Sequence, residues 1–210
     1  MKKFVNNWAI TSLLLGLVLA VIINFAAFDF TQKTLLALIV FLLLHFYEEF
    51  GFPGGFPYVG IKVLMNSNEK NPARWGANNL NSLFGNWGFL FLVYVLPLII
   101  PSVKFLTLAA VLFSFLEFFM HVILFNFKLK TFYNPGLITT VFGMTPIATY
   151  YLVSIYGQNL YSGSEYIFAF IWCIAVFMFC FRSPLYWHFG KKKGYPFTKR
   201  AAFGNFAFNK

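Results

Sequence analysis

A chain of 210 residues that is 60% apolar, 22% aromatic and only 10% charged is excluded from the soluble globular class, in which about 25% of residues are charged. It is read as an integral membrane protein with an all-α fold. The net charge of +10 would suit nucleic acid, but the basic residues lie between and after apolar stretches. The expected partners are therefore membrane lipids, with anionic headgroups at the basic tail, and no nucleic acid.

In chain order, Met1-Lys2-Lys3 precedes an apolar run from residue 8 to 28. That run is longer than a secretory h-region of about 7–15 residues and no A-x-A site follows, so it is predicted to be the first membrane helix. The second runs from residue 34 to 50 and is stopped by Gly51-Phe52-Pro53-Gly54-Gly55-Phe56-Pro57, read as a lip over the end of the helix. A polar loop, 58–82, carries Lys62, Glu69, Lys70 and Arg74, and its Asn78, Asn79 and Asn81 are read as solvated. Four more spans are predicted over residues 84–100, 103–125, 137–157 and 165–181, with Pro97 and Pro146 kinking theirs. Asp29 and Glu165 mark span ends. Cys173 and Cys180 share one helix face but are about 10 Å apart along it, beyond disulfide reach, and are read as core or lipid-facing thiols.

The domain plan is one six-span membrane domain, 1–181, followed by a basic, aromatic tail, 182–210, expected to lie at the interface. Six spans put every lysine and arginine except Lys33 and Lys104 on the side of the termini. The positive-inside rule then makes both termini cytoplasmic.

Against this apolar background the acidic residues stand out. A charged group near the bilayer centre costs roughly 2.5–3.5 kcal/mol on insertion scales. The second span nevertheless carries His45, Glu48 and Glu49, and the fourth carries Glu117 and His121. His45 and Glu49 are spaced i,i+4, as are Glu117 and His121, so each pair shares one helix face. Counted from the outer span ends, the first group lies roughly 17–22 Å deep and the second roughly 21–27 Å, within one slab of the membrane's cytoplasmic half. Two imidazoles and several carboxylates on facing helices make a ligand set for Zn, Fe or Mn. The expected ligands are His45, Glu49, Glu117 and His121, with Glu48 left over as the catalytic acid/base. A metal-free buried network that fixes helix packing would use the same residues.

Polar groups at the same depth are placed to complete a site: Asn126, Tyr133-Asn134-Pro135-Gly136, Thr139 and Thr140. The turn Asn134-Pro135-Gly136 also reads as a helix start, with Asn capping and Pro in the first helical position.

Three ordered motifs, His45-Phe46-Tyr47-Glu48-Glu49, Glu117-x-x-x-His121-x-x-x-x-Asn126 and Tyr133-Asn134-Pro135-Gly136-Leu137-Ile138-Thr139, resemble the HXXEE-domain family of small bacterial membrane proteins over about residues 35–150. The resemblance implies a multi-span protein of the bacterial cytoplasmic membrane. It also implies one shared polar site containing His45, Glu48, Glu49, Glu117, His121, Asn126 and Asn134, and it supplies no substrate. The reading it joins is a metal-dependent intramembrane enzyme, hydrolytic or oxidative, acting on a lipid or lipid-linked substrate. A proton- or cation-coupled transporter using the same cluster, or an accessory membrane subunit, is the alternative.

Overall fold

The computed structural model describes residues 1–208. Six helices are long and apolar enough to cross a membrane: α1 (Trp8–Phe25), α2 (Phe30–Phe50), α3 (Asn79–Ile99), α4 (Lys104–Leu129), α5 (Leu137–Ser154) and α6 (Gly163–Gly190). No strand occurs among the described residues. At 1.5 Å per residue even the shortest reaches about 27 Å, close to the thickness of a hydrocarbon core.

The helices begin where the sequence supplies caps. Asp29 accepts from the Gln32 backbone while the Gln32 side chain returns the bond, and Ser162 forms the same reciprocal box with Glu165. These two acids therefore hold helix starts, in agreement with their place at span ends. Helix α3 starts five residues earlier than expected, and the reason is a third capping box. Asn78 accepts from the backbone of Leu80 and Asn81, and the Asn81 side chain accepts from the Asn78 backbone. The asparagines read as solvated are in fact buried.

Helix α2 is the most enclosed of the six and α1 and α6 are the most exposed. It packs on α1, α3, α4 and α5, while α6 lies against α3 and α4. The core is correspondingly rich in α2 side chains, among them Leu35, Leu38, Leu42 and Phe46. Lipid, with no water to satisfy a freed backbone, leaves helices as the economical way for these segments to cross.

Three helices widen to π geometry: α3 at Leu90–Val95, α4 at Phe119–Phe125 and α5 at Thr140–Met144. In α3 and α5 the widened turn ends just before Pro97 and Pro146. A proline ring crowds the carbonyl four residues back, and an i→i+5 step relieves that contact. The predicted distortion is thus present. The widened turn of α4 carries His121 itself.

The tail folds back over the terminal end of the bundle. Helix α6 runs past Arg182 with one break at Ser183, and a short helix α7 (Lys199–Phe203) follows. The Asn78 side chain donates to the carbonyls of Phe189, Gly190 and Lys192, each at 3.0 Å. Asn6 donates to Gly194, which brings the two chain ends together. Gly55 N–H donates to Ala201 at 3.0 Å, so α7 covers the Gly54–Gly55 turn after α2. Both glycines have positive φ, and a side chain on either would meet the tail backbone. The lip is therefore a docked surface. Lys210, which belongs to the basic tail, lies outside the described residues.

Candidate metal centre

Helices α2 and α4 run in the same direction but carry their ligands in opposite order, His45 before Glu49 and Glu117 before His121. Side by side, this order sets an imidazole opposite a carboxylate at each of two levels. The His45 Nε2 atom lies 3.3 Å from Glu49 Oε1 and 3.9 Å from Glu117 Oε2. The His121 Nε2 atom lies 3.2 Å from Glu117 Oε2 and 3.7 Å from Glu49 Oε1. Acid and imidazole alternate around a ring. His45, Glu49 and His121 are buried, and Glu117 is the most open corner, with 18% of its side chain exposed.

The hydrogen bonds behind the ring decide which nitrogen carries each proton. Asn134 Nδ2 donates to both the His121 carbonyl and Asn126 Oδ1, each at 2.7 Å. Its two hydrogens are then used, so Asn134 Oδ1, 2.6 Å from His121 Nδ1, accepts a proton from that nitrogen. On the other side, Thr139 Oγ1 donates to Glu48 Oε2 at 2.7 Å and has only its lone pairs for His45 Nδ1 at 3.0 Å. Thr140 Oγ1 stands 3.4 Å from the same nitrogen. Both imidazoles therefore hold a proton on Nδ1 and turn Nε2 toward the two carboxylates. Oriented imidazoles of this kind are the outer-layer arrangement typical of metal-ligating histidines.

Packing fixes the rings as well. They meet edge to face with centroids 4.9 Å apart, Phe56 stacks on His121 and Phe125 abuts it edge-on. Beneath them lies Gly136, at φ +100°, where a side chain is strained on backbone grounds alone. An added Cβ there would also collide with the Cε1 atoms of both His45 and His121.

Glu48 stands apart from the other four. Its carboxylate accepts from the backbone N–H groups of Ile138 (3.1 Å) and Thr139 (2.9 Å), from Thr139 Oγ1 and from the Tyr133 hydroxyl (3.1 Å). It caps the start of α5 from a different helix, satisfying N–H groups that α5 cannot bond internally. Burial, and then the Glu48 carboxylate, push the Tyr133 phenol well above the usual tyrosine range, so it remains a donor. This corrects the local reading of Asn134-Pro135-Gly136. Asn134 serves His121 instead of capping, Pro135 precedes the helix, and Gly136 is the residue before its first turn. Asn126 touches Asn134 and the Phe132 carbonyl, one layer out from the ring.

The geometry fits a metal ion. One ligand atom each from His45, Glu117 and His121 lie within 4.8 Å of one another. Glu49 is outside that group, although its Oε1 lies 3.3 and 3.7 Å from the two Nε2 atoms, so three of the four expected ligands converge and Glu49 flanks them. An imidazole and carboxylate donor set suits Zn, Fe or Mn. Sequence spacing missed Gly136 as the floor of the rings, because its contacts join three separate helices.

A family model described as "Protein of unknown function with HXXEE motif" matches residues 35–151, more than half of the chain, and the protein belongs to this family. No curated protein and no solved structure matches it.

Proposed function

We propose that this HXXEE-family protein holds a divalent transition metal, Zn, Fe or Mn, on His45, Glu49, Glu117 and His121, and that it is an intramembrane enzyme. Its substrate class would be a lipid or a lipid-linked molecule, reached from within the bilayer. The supporting observation is the character of the ring. Two Nε2 atoms and two carboxylates converge, while both Nδ1 atoms are already bonded outside the ring. Two buried carboxylates in a bilayer slab are costly unless neutralised. A dication would neutralise them and take the two Nε2 atoms as further ligands. When bound, it supplies Lewis-acid or redox chemistry to a substrate oxygen.

The chain's own residues then divide the work. Asn134 and Thr139 hold the imidazoles, and Glu48 acts at one remove. It was expected to be the acid/base, but its carboxylate is engaged by α5, and through Thr139 it orients His45. Glu48 is therefore proposed as a positioning residue. Glu117 is the least buried corner, and the proposed route for substrate is past it. The setting proposed is the bacterial cytoplasmic membrane, with both termini cytoplasmic and the basic tail next to anionic headgroups.

The test is elemental analysis of protein purified in mild detergent without chelator. Wild type is expected to carry stoichiometric metal, while His45→Ala and His121→Ala lose it. Metal-free wild type overturns the reading. Proteoliposomes that show cation flux abolished by Glu117→Gln would instead favour transport.

A further inference from the structure

The turn between α4 and α5 gathers basic and aromatic side chains around a cavity of about 480 Å³, a usual size for a small-ligand pocket. Lys128, Lys130, Asn126 and Thr131 line it together with Phe127 and Phe132, and no carboxylate does. The two phenylalanines are 79% and 100% exposed. A smaller cavity shares Thr131 and Phe132 and is also lined by Asn205 of the tail, so the turn lies on the side of the bundle that holds the chain ends.

Several cations on this side have protein partners. Lys62 donates to the Tyr58 hydroxyl at 3.3 Å, Arg74 pairs with Glu69, and Arg182 and Arg200 lie over Phe177 and Phe52. Among the described residues, Lys128 and Lys130 have neither an ion pair nor an aromatic ring beneath them. Lys130 also ends α4 in a left-handed conformation, at φ +55°, a place ordinarily given to glycine or asparagine. The other described non-glycine residues of positive φ are asparagines, Asn66 and Asn159. A lysine there bears strain that glycine would avoid, and the side chain it contributes is a second amine on the cavity wall. Toward the spans the surface turns apolar, with Ile123 on α4 and Ile138 at the start of α5 about half exposed.

From this we infer a headgroup site for an anionic phospholipid: the Lys128 and Lys130 amines hold the phosphate, and the acyl chains run past Phe127 and Phe132 into the bilayer. Basic pockets between membrane helices hold phospholipid headgroups in this way, through charge-assisted hydrogen bonds. The site goes beyond the proposed metal centre and needs no metal. Asn126 belongs to both, since it lines the cavity and accepts from Asn134, the residue that holds His121.

Native mass spectrometry of the full chain in detergent tests this, with phosphatidylglycerol and phosphatidylcholine titrated separately. Thermal unfolding and metal content are measured on the same preparations. Wild type is expected to bind its first phosphatidylglycerol about tenfold or more tightly than phosphatidylcholine. Lys128→Gln and Lys130→Gly should each weaken phosphatidylglycerol about fivefold and leave phosphatidylcholine unchanged. Lys130→Gly should melt no lower than wild type, because glycine suits the left-handed backbone. Replacing Lys191, Lys192 and Lys193 of the tail by glutamine should leave the first lipid bound as in wild type. Equal affinity for both lipids in wild type, unchanged binding in both turn variants, or an equal loss in the tail variant overturns the inference. Displacement of the lipid by excess inorganic phosphate also overturns it, because the occupant is then a free anion. If one turn variant unfolds, the other decides between these outcomes. Metal content should match wild type throughout, so failure of the headgroup site leaves the metal reading standing. Metal-free protein that keeps the lipid preference overturns the metal reading alone.

Discussion

Glu48 and Glu49 are neighbours in the chain, about 100° apart on one helix, and they enter regions of opposite chemistry. Glu48 reaches a region rich in donors: two backbone N–H groups, a threonine and a tyrosine, all from the start of α5 and the loop before it. Glu49 reaches a region with no backbone N–H or hydroxyl partner, facing two imidazole Nε2 atoms and sharing the site with Glu117. The first carboxylate is held by the N-terminus of a helix, and the second faces the imidazoles of the candidate metal centre. Similar burial, at 6% and 3% exposure, thus conceals a division between a carboxylate that caps a helix and one that faces the proposed metal centre.

The largest effect that would break this division comes from the floor the two regions share. Gly136→Ala adds a strained φ and a collision with both imidazoles, and should cost about 3 kcal/mol or more. Thermal unfolding and metal content should both fall. A variant that unfolds and loads like wild type would mean that the rings do not rest on this glycine.

The comparison is sharpened by treating the two glutamates identically. Glu49→Gln should lower metal content at least tenfold with little loss of thermal stability, since it removes a buried charge. Glu48→Gln should keep the metal and lose about 1–2 kcal/mol of stability, as α5 loses the anion at its N-terminus. Melting curves and metal analysis on the same preparations decide it, and an exchange of the two phenotypes would refute the division.

Smaller effects are expected from the groups that connect the regions. Thr139→Val and Asn134→Ala leave the ligands in place but free the imidazole Nδ1 atoms, and should weaken metal affinity about 10–100-fold. Competition with a chelator of known affinity measures this. Unchanged affinity would show that ring packing alone orients the imidazoles.

Much of this arrangement was legible in the sequence. Six spans follow from apolar runs of the right length, and the two i,i+4 pairs follow from helical periodicity, because both depend on residues close together in the chain. The start of α3 was also written there, in the spacing of Asn78 and Asn81, but asparagine-rich segments resemble solvated loops until something covers them. What covers them is the tail, more than 100 residues away in sequence. The roles of Glu48 and Gly136 were illegible for a similar reason. Each depends on which side chain from another helix stands opposite, and periodicity within a single segment carries no information about that.

The reversed order of His45–Glu49 and Glu117–His121 constrains motion as well as composition. Sliding α4 along α2 by one turn, about 5.4 Å, would remove one cross-helix contact and bring like against like at the other. The site therefore acts as a ruler that permits one registry between the two helices. Any opening that admits a substrate must come from the helices tilting or parting, with no sliding along their length.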